Sequence, residues 1–286
     1  MNKPIFPRVS NIVTLQCNLR CKLCVICSPY YRQPWHPTTE YINTVTDKLF
    51  EIADYQIFEF TGGEPLMRKD FPKILDYTLK YKNSVHNYFG FQTNGAIPVS
   101  DDLVYSVKKY GSSIRIIVDN YGTNLSVHSK SNYETLKTAG VQVEIRNQYD
   151  GNTFFNGWVD YLGDGNIDNS PEKAKEIFNK CAQPIKFGFC ATTIGGIVMP
   201  CPIMQPLALL YYAHPPEYEF VDLFDKTETL EQKRIKWEAF YKLNILSACR
   251  YCNGMCEDSK RFIPAIQFSR EEITAIQNKL ERRNSL

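Results

Sequence analysis

Cys17-Asn18-Leu19-Arg20-Cys21-Lys22-Leu23-Cys24 sets three thiols at the spacing C-x3-C-x2-C, directly behind the apolar run Val9-Ser10-Asn11-Ile12-Val13-Thr14-Leu15. The run reads as a strand, which places the cysteines in a tight loop at its C-terminal end. Thiolates are soft ligands suited to iron–sulfur clusters and zinc, and short spacings let one loop present several to one centre. Three ligands on a four-iron cluster leave one iron open to another ligand. Three on zinc make part of a site that needs a fourth from elsewhere.

Outward from that loop, strand-like and helix-like stretches alternate. The stretch 29–37 is rich in proline and reads as a loop over a site mouth. Thr38 or Thr39, with Glu40 and the spaced set Ile42, Val45, Leu49, Phe50 and Ile52, reads as a capped amphipathic helix. The strand 56–60 runs straight into Thr61-Gly62-Gly63-Glu64-Pro65, and Asp70 is placed to cap a helix from Phe71. Further strands are expected at 86–92, ending at Thr93-Asn94-Gly95, at 113–119, ending on Asp119, and at 141–145, just ahead of Arg146. Helices are expected at 102–110 and 132–139. Such alternation predicts repeated βαβ units around a parallel sheet, with catalytic loops gathered at the C-terminal strand ends. The cysteine loop, Gly-Gly-Glu-Pro, Thr-Asn-Gly and Asp119 all fall on that rim.

Composition frames the class. The chain has 286 residues, 43% of them apolar, ten cysteines and a formal net charge of +2. That suits one large domain with an appendage and gives no nucleic-acid signal. No stretch approaches the roughly 18 apolar residues of a membrane span, and the N-terminus lacks a signal-peptide core, so a cytoplasmic protein is expected. Ten cysteines in that compartment point to metal centres or catalysis rather than disulfides.

The cysteine loop resembles the signature of the radical S-adenosylmethionine enzymes, and Gly62-Gly63-Glu64-Pro65 matches that family's second element residue for residue. The resemblance implies an α/β fold, a partial (β/α)6 TIM-like barrel. It also implies a [4Fe-4S] cluster on Cys17, Cys21 and Cys24 whose open iron chelates S-adenosylmethionine. Reductive cleavage by an electron donor such as flavodoxin or ferredoxin would give a 5′-deoxyadenosyl radical. Gly62, Gly63 and Glu64 would lie against the methionine amino group, Asn94 and Asp119 would contact its carboxylate and the ribose, and Leu23 would pack on adenine at a position often aromatic in the family. On the residues alone, the glycine run, Asn94 and Asp119 also suit turn chemistry. Arg146 suits a nucleoside contact, a substrate contact, a base or an ion pair.

From 147 to 170 the chain is rich in glycine and asparagine and reads as loop, with a short strand near 158–162 as a sixth barrel strand or a lid. A second cysteine set follows a helix at 171–179. Cys181 and Cys201 bracket an expected hairpin, with residues 185–190 as one arm, Gly195-Gly196 as the turn and 197–199 as the other arm; Cys249-x2-Cys252 comes later. This layout resembles the Twitch appendage, the shorter relative of the SPASM domain, and implies one auxiliary [4Fe-4S] cluster on Cys181, Cys201, Cys249 and Cys252. A zinc knuckle is the rival on spacing alone. Cys27, Cys190 and Cys256 are left over as core thiols, and Cys190 or Cys256 also suits a ligand or a hydrogen-atom donor. The expected division is 1–165 core, 166–262 auxiliary domain and 263–286 C-terminal helix, the last opened by a capping box at Ser269 and Glu272.

With the cysteine loop starting at Cys17, no N-terminal peptide-recognition domain is expected. The favoured reading is hydrogen abstraction from a small polar substrate, a sugar, aminocyclitol or nucleotide-linked sugar, giving oxidation or epimerisation. A ribosomal-peptide maturase and a zinc-stabilised Cys-rich interaction protein are the alternatives. Neither nucleic acid nor membrane is expected as a partner.

Overall fold

Five strands, β1 (Ile5–Thr14), β2 (Asp54–Gly62), β3 (Val85–Thr93), β4 (Ile114–Asn120) and β5 (Gln142–Asn147), alternate with the helices α1 (Thr39–Ile52), α2 (Phe71–Thr78), α3 (Asp101–Lys108) and α4 (Ser129–Thr138). Each strand pairs in parallel with the next in chain order. This is the α/β, partial-barrel arrangement expected, with helical crossovers between neighbouring strands. The computed structural model describes residues 3–151, 153–163, 165–211 and 213–283. Asn152 and Asp164, read as loop residues, lie outside the described residues, as does Tyr212.

The chain divides into two compact units, Met1–Leu19 with Pro34–Asn156, and Arg20–Gln33 with Gly157–Leu286. The boundary falls ahead of residue 165 because the following stretch is tied to the second unit. Trp158 pairs with Phe262, and Asn253 N donates to Tyr161 O at 2.9 Å. The segment 158–162 therefore forms a single antiparallel bridge rather than a barrel strand.

In the first unit, Thr38 caps α1 by accepting from Tyr41 N at 3.2 Å, and Ile42, Val45, Leu49, Phe50 and Ile52 form its buried face. Phe50, Tyr55, Phe58, Phe60, Phe71, Phe89, Phe91 and Tyr110 are 2% exposed or less and join ring to ring between sheet and helices. Truncating one such ring to alanine typically costs about 3–5 kcal/mol. Asp70 stands at the N-cap of α2 as expected, but its side chain makes no capping bond. Its carboxylate is taken by Arg68 at 2.7 Å and by the Thr39 hydroxyl, because a buried guanidinium is costly without a counter-charge. Proline in the first turn of α2 starts that helix instead.

The second unit contains α5 (Pro171–Lys180), α6 (Ala182–Ile185), β6 (Ala191–Ile194), β7 (Ile197–Met199), α7 (Met204–Leu210), β8 (Val221–Asp222), α8 (Leu230–Phe240) and α9 (Arg270–Arg283). The hairpin turns at Gly195-Gly196 as expected, both at positive φ, but its first arm is β6 and not 185–190. A two-residue turn forces Ile194 opposite Ile197, so the β-branched run 192–194 pairs and 182–185 is free to coil as α6. Trp237 and Phe240 of α8 are 0% and 1% exposed and belong to packing. Among the described residues no helix is long and apolar enough to cross a membrane.

Candidate active site

β1 and β2 end side by side, and the backbone stays paired past the strands. Gly63 N donates to Thr14 O at 2.8 Å and Glu64 N to Gln16 O at 2.9 Å. The approach excludes side chains, since a Cβ on Gly62 or Gly63 would lie 2.1 Å from Thr14 O or Gln16 O. The Gly-Gly segment is thereby pinned against the residues leading into Cys17. Behind it, Glu64 has no exposed surface, and its carboxylate accepts from Leu66 N at 3.0 Å and Asn94 N at 2.7 Å, joining the end of β2 to the end of β3. Burial outweighs these bonds and pushes its carboxyl up to about 7, with the Asp119 charge adding to the rise.

Asn94 is 8% exposed, and its side-chain amide donates to Asn18 Oδ1 at 2.9 Å and to Cys17 Sγ at 3.8 Å. It therefore touches the first cysteine directly. The end of the proline-rich loop lies along β1, where Leu15 N donates to Trp35 O at 2.7 Å and His36 Nδ1 sits 2.8 Å from Thr14 Oγ1. Arg68, 1% exposed in its side chain, fastens this loop by donating to Val13 O at 3.2 Å and Pro37 O at 2.7 Å.

Asp119, 1% exposed, is the last residue but one of β4 and accepts from Gln92 Nε2 and, at 3.3 Å, from Gln148 Nε2. Burial raises its carboxyl, while those amides and Arg146 pull it back. Among the described residues Gln148 Oε1 is buried with no hydrogen-bond partner, which leaves an open acceptor on the amide that serves Asp119. Arg146 pairs with Glu144 at 2.8 Å and lies over the Phe154 ring at 4.3 Å. Gln148 was not anticipated from sequence, although the period-2 alternation of β5 puts it on the same face as Arg146.

Cys17 belongs to the first unit and Cys21 and Cys24 to the second. Burial and the neighbouring Cys24 push the Cys21 thiol up to about 12, and burial raises Cys24. Buried thiols keep their protons until a cation takes their place. Leu23 is half-buried, and Cys27 is buried at the head of the short turn Ser28–Tyr30.

In the second unit Cys181, Cys201, Cys249 and Cys252 line one cavity, whose other walls include Val25, Ile177, Phe178, Phe189, Ile203 and Leu246. Burial raises the thiols of Cys201, Cys249 and Cys252, with Cys249 pushed up to about 11. Met255 N donates to Cys181 Sγ at 3.4 Å and Gly254 N to Cys252 Sγ at 3.2 Å. Soft donors, backbone N–H groups aimed at sulfur and an apolar shell suit an iron–sulfur cluster. Among the described residues, no three His, Cys, Asp or Glu side chains converge as around a single ion. Cys190 and Cys256 do not line the cavity. Cys256 is buried, its sulfur 3.7 Å from Ile177 O and 3.3 Å from where a Gly254 Cβ would stand.

Glu219, which no local pattern signals, secures Cys249 from behind. It is 2% exposed and accepts from Ser247 N at 2.9 and 3.0 Å and from Ser247 Oγ at 2.5 Å, at the start of the turn Ser247–Tyr251. Glu219→Ala strips the acceptor from a half-buried N–H and is expected to cost about 1–3 kcal/mol in urea unfolding, whereas an unchanged midpoint would refute the clamp.

The family model described as the Radical SAM superfamily matches residues 11–139. No curated protein matches the chain. Among solved structures, BtrN in complex with AdoMet and 2-DOIA is 16% identical with a TM-score of 0.56, over 92% of this chain and 100% of that one. Histidine-tagged anSMEcpe with bound AdoMet is 15% identical with a TM-score of 0.50, over 98% of each chain. SuiB of Streptococcus suis, bound to the precursor peptide SuiA, is 15% identical with a TM-score of 0.41; the match covers 50% of this chain and 33% of SuiB, so the chain spans about a third of that protein. The matched segment opens within β1 and closes after α4, and it contains the three-cysteine loop, the Gly-Gly-Glu-Pro turn, Asn94 and Asp119. Over residues 11–139, then, the chain is similar to the Radical SAM superfamily.

Proposed function

We propose that the protein is a radical S-adenosylmethionine enzyme acting on a small polar molecule, a sugar, aminocyclitol or nucleotide-linked sugar, to oxidise or epimerise it. The observation that carries this reading is the backbone contact of Gly62 and Gly63 with residues 14–16, which brings a ligand-binding turn against the entry to the cysteine loop. When bound to Cys17, Cys21 and Cys24, a four-iron cluster with S-adenosylmethionine supplies a 5′-deoxyadenosyl radical. The chain's own residues position that cofactor. The half-buried peptide groups of Gly62 and Gly63 suit a zwitterion's amino group, Asn94 orients the loop at Cys17, and Leu23 offers an apolar face to the base. Asp119 and the free acceptor of Gln148 suit ribose hydroxyls. Arg146, held by Glu144 and Phe154, is placed to meet a polar substrate group.

Cys181, Cys201, Cys249 and Cys252 are proposed to hold one auxiliary [4Fe-4S] cluster, supported by their shared cavity and by the N–H groups directed at two of the sulfurs. That BtrN holds AdoMet together with 2-DOIA supports a small-molecule substrate here. Cys190 and Cys256 are the candidate hydrogen-atom donors if the outcome is epimerisation, and a flavodoxin or ferredoxin is the proposed electron donor.

Anaerobic reconstitution with iron and sulfide is expected to give about eight irons per chain and 5′-deoxyadenosine from S-adenosylmethionine plus reductant. The triple variant Cys17→Ala/Cys21→Ala/Cys24→Ala is expected to lose about four irons and all 5′-deoxyadenosine. Bound zinc without iron, or no 5′-deoxyadenosine from the wild type, would sink the reading. Turnover in deuterated water separates the outcomes: deuterium at carbon marks epimerisation, and loss of two hydrogens marks oxidation.

A further inference from the structure

The stretch 265–268, expected within the C-terminal helix, instead forms an antiparallel strap along the cysteine loop ahead of α9. Lys22 N donates to Ile266 O at 2.8 Å, Phe268 N donates to Arg20 O at 2.8 Å, and Cys21 stands opposite Gln267. Gln267 Oε1 accepts from Arg20 N at 2.6 Å, which fixes the orientation of its amide. Its Nε2 therefore faces the loop and donates to Cys21 Sγ at 3.3 Å and to Ala265 O at 2.7 Å. The strap is held on both sides. Phe268 packs on Tyr30 with centroids 5.9 Å apart, Gln277 Nε2 donates to Pro29 O at 3.1 Å, and Lys22 pairs with Glu272 at 2.6 Å. The ion pair is half-exposed and contributes little, so the backbone bonds and the ring contact fix the geometry.

We propose that Gln267 is a positioning residue for the first cluster: it orients the Cys21 ligand and raises the cluster's reduction potential by donating a hydrogen bond to its sulfur. This rests on the proposed function, in which Cys21 ligates that cluster. A donor to a cluster thiolate withdraws negative charge from sulfur, and the more negative reduced state gains most from it. The same amide accepts from Arg20 N, so ligand placement and electronic tuning are joined in one side chain. Its effect lies on the one-electron reduction that must precede cleavage of S-adenosylmethionine.

The test is an anaerobic redox titration of the reconstituted full chain with dithionite, followed by electron paramagnetic resonance. The first cluster is identified as the signal that changes when S-adenosylmethionine is added. Gln267→Glu keeps the acceptor for Arg20 N but places a carboxylate oxygen at the sulfur; Gln267→Ala removes both bonds. Both midpoints are expected to fall, Gln267→Glu further, so that at a fixed poise the reduced-to-oxidised ratio drops about tenfold, equivalent to about 59 mV for one electron. Midpoints equal to wild type overturn the inference, and so does loss of the cluster from both variants, which would make Gln267 a structural clamp only. A wild-type chain that assembles no four-iron cluster overturns the functional reading itself, and the inference falls with it.

Discussion

Gly63→Ala is expected to remove 5′-deoxyadenosine formation and to lower the melting temperature by on the order of 10 °C. The added methyl would meet Gln16 O at 2.1 Å, Gln16 C at 2.6 Å and Leu15 O at 2.9 Å. All three are backbone atoms of the segment that continues β1 toward Cys17, so no side chain can swing aside. Relief requires the two chain ends to separate, which breaks Gly63 N to Thr14 O and Glu64 N to Gln16 O. Overpacking costs about 1–3 kcal/mol and the two hydrogen bonds about 1 kcal/mol each, and each kcal/mol moves the transition of a domain this size by about 2–4 °C. Gly140→Ala is the control. Nothing stands within 4 Å of its Cβ and only the positive φ of 79° is penalised, so about 1–2 kcal/mol is expected with chemistry retained. Equal effects of the two substitutions, read by calorimetry and product assay, would show that the close approach at Gly63 is not what the site depends on.

The repeated βα pattern was legible because β1 to β4 carry apolar stretches, β5 alternates Val143 and Ile145 with polar residues, and each helix shows one buried face. The rim residues were legible for the same reason, since a strand end places whatever follows it. The cysteine set of the second unit was legible from spacing, and its four members do line one cavity. The readings that failed are those decided at long range. Asp70 is a good cap by local rules, but Arg68 is buried and takes its carboxylate. The first hairpin arm lies at 191–194 rather than 185–190, because the two-residue Gly-Gly turn dictates the pairing. Gln267 is 246 residues from the sulfur it touches and Glu219 is 28 from Ser247, separations that no periodicity encodes. Gln267 acts here through both ends of its amide, and Gln92 and Gln148 through the amide nitrogen that each gives to Asp119, roles that depend on neighbours brought by the fold and not on any motif.

Between pH 5 and pH 8 the protein is expected to lose up to about 3 kcal/mol of stability through Glu64 alone. Its carboxyl stands at about 7 in the fold against an ordinary 4.5, because burial penalises the charged form more than two backbone N–H groups relieve it. Folding therefore raises the affinity for a proton. Between those two values the native chain holds a proton that the unfolded chain has released, so stability is fully present at low pH and is lost as pH rises through about 7. Asp119 is also raised by burial and acts in the same direction, which makes the wild-type profile alone ambiguous. Glu64→Gln resolves it. The amide cannot ionise, and it presents an NH2 to one of two N–H donors, a pH-independent loss of about 1–3 kcal/mol. The stability gap between wild type and Glu64→Gln should be widest near pH 5 and close by up to about 3 kcal/mol toward pH 8, a difference that reads Glu64 together with its coupling to the Asp119 charge and removes the rest of the Asp119 contribution. Urea unfolding of both proteins across that range reads the gap directly, and a gap that stays constant with pH would mean that the Glu64 carboxyl is not raised and the turn is held by an ionised clamp throughout.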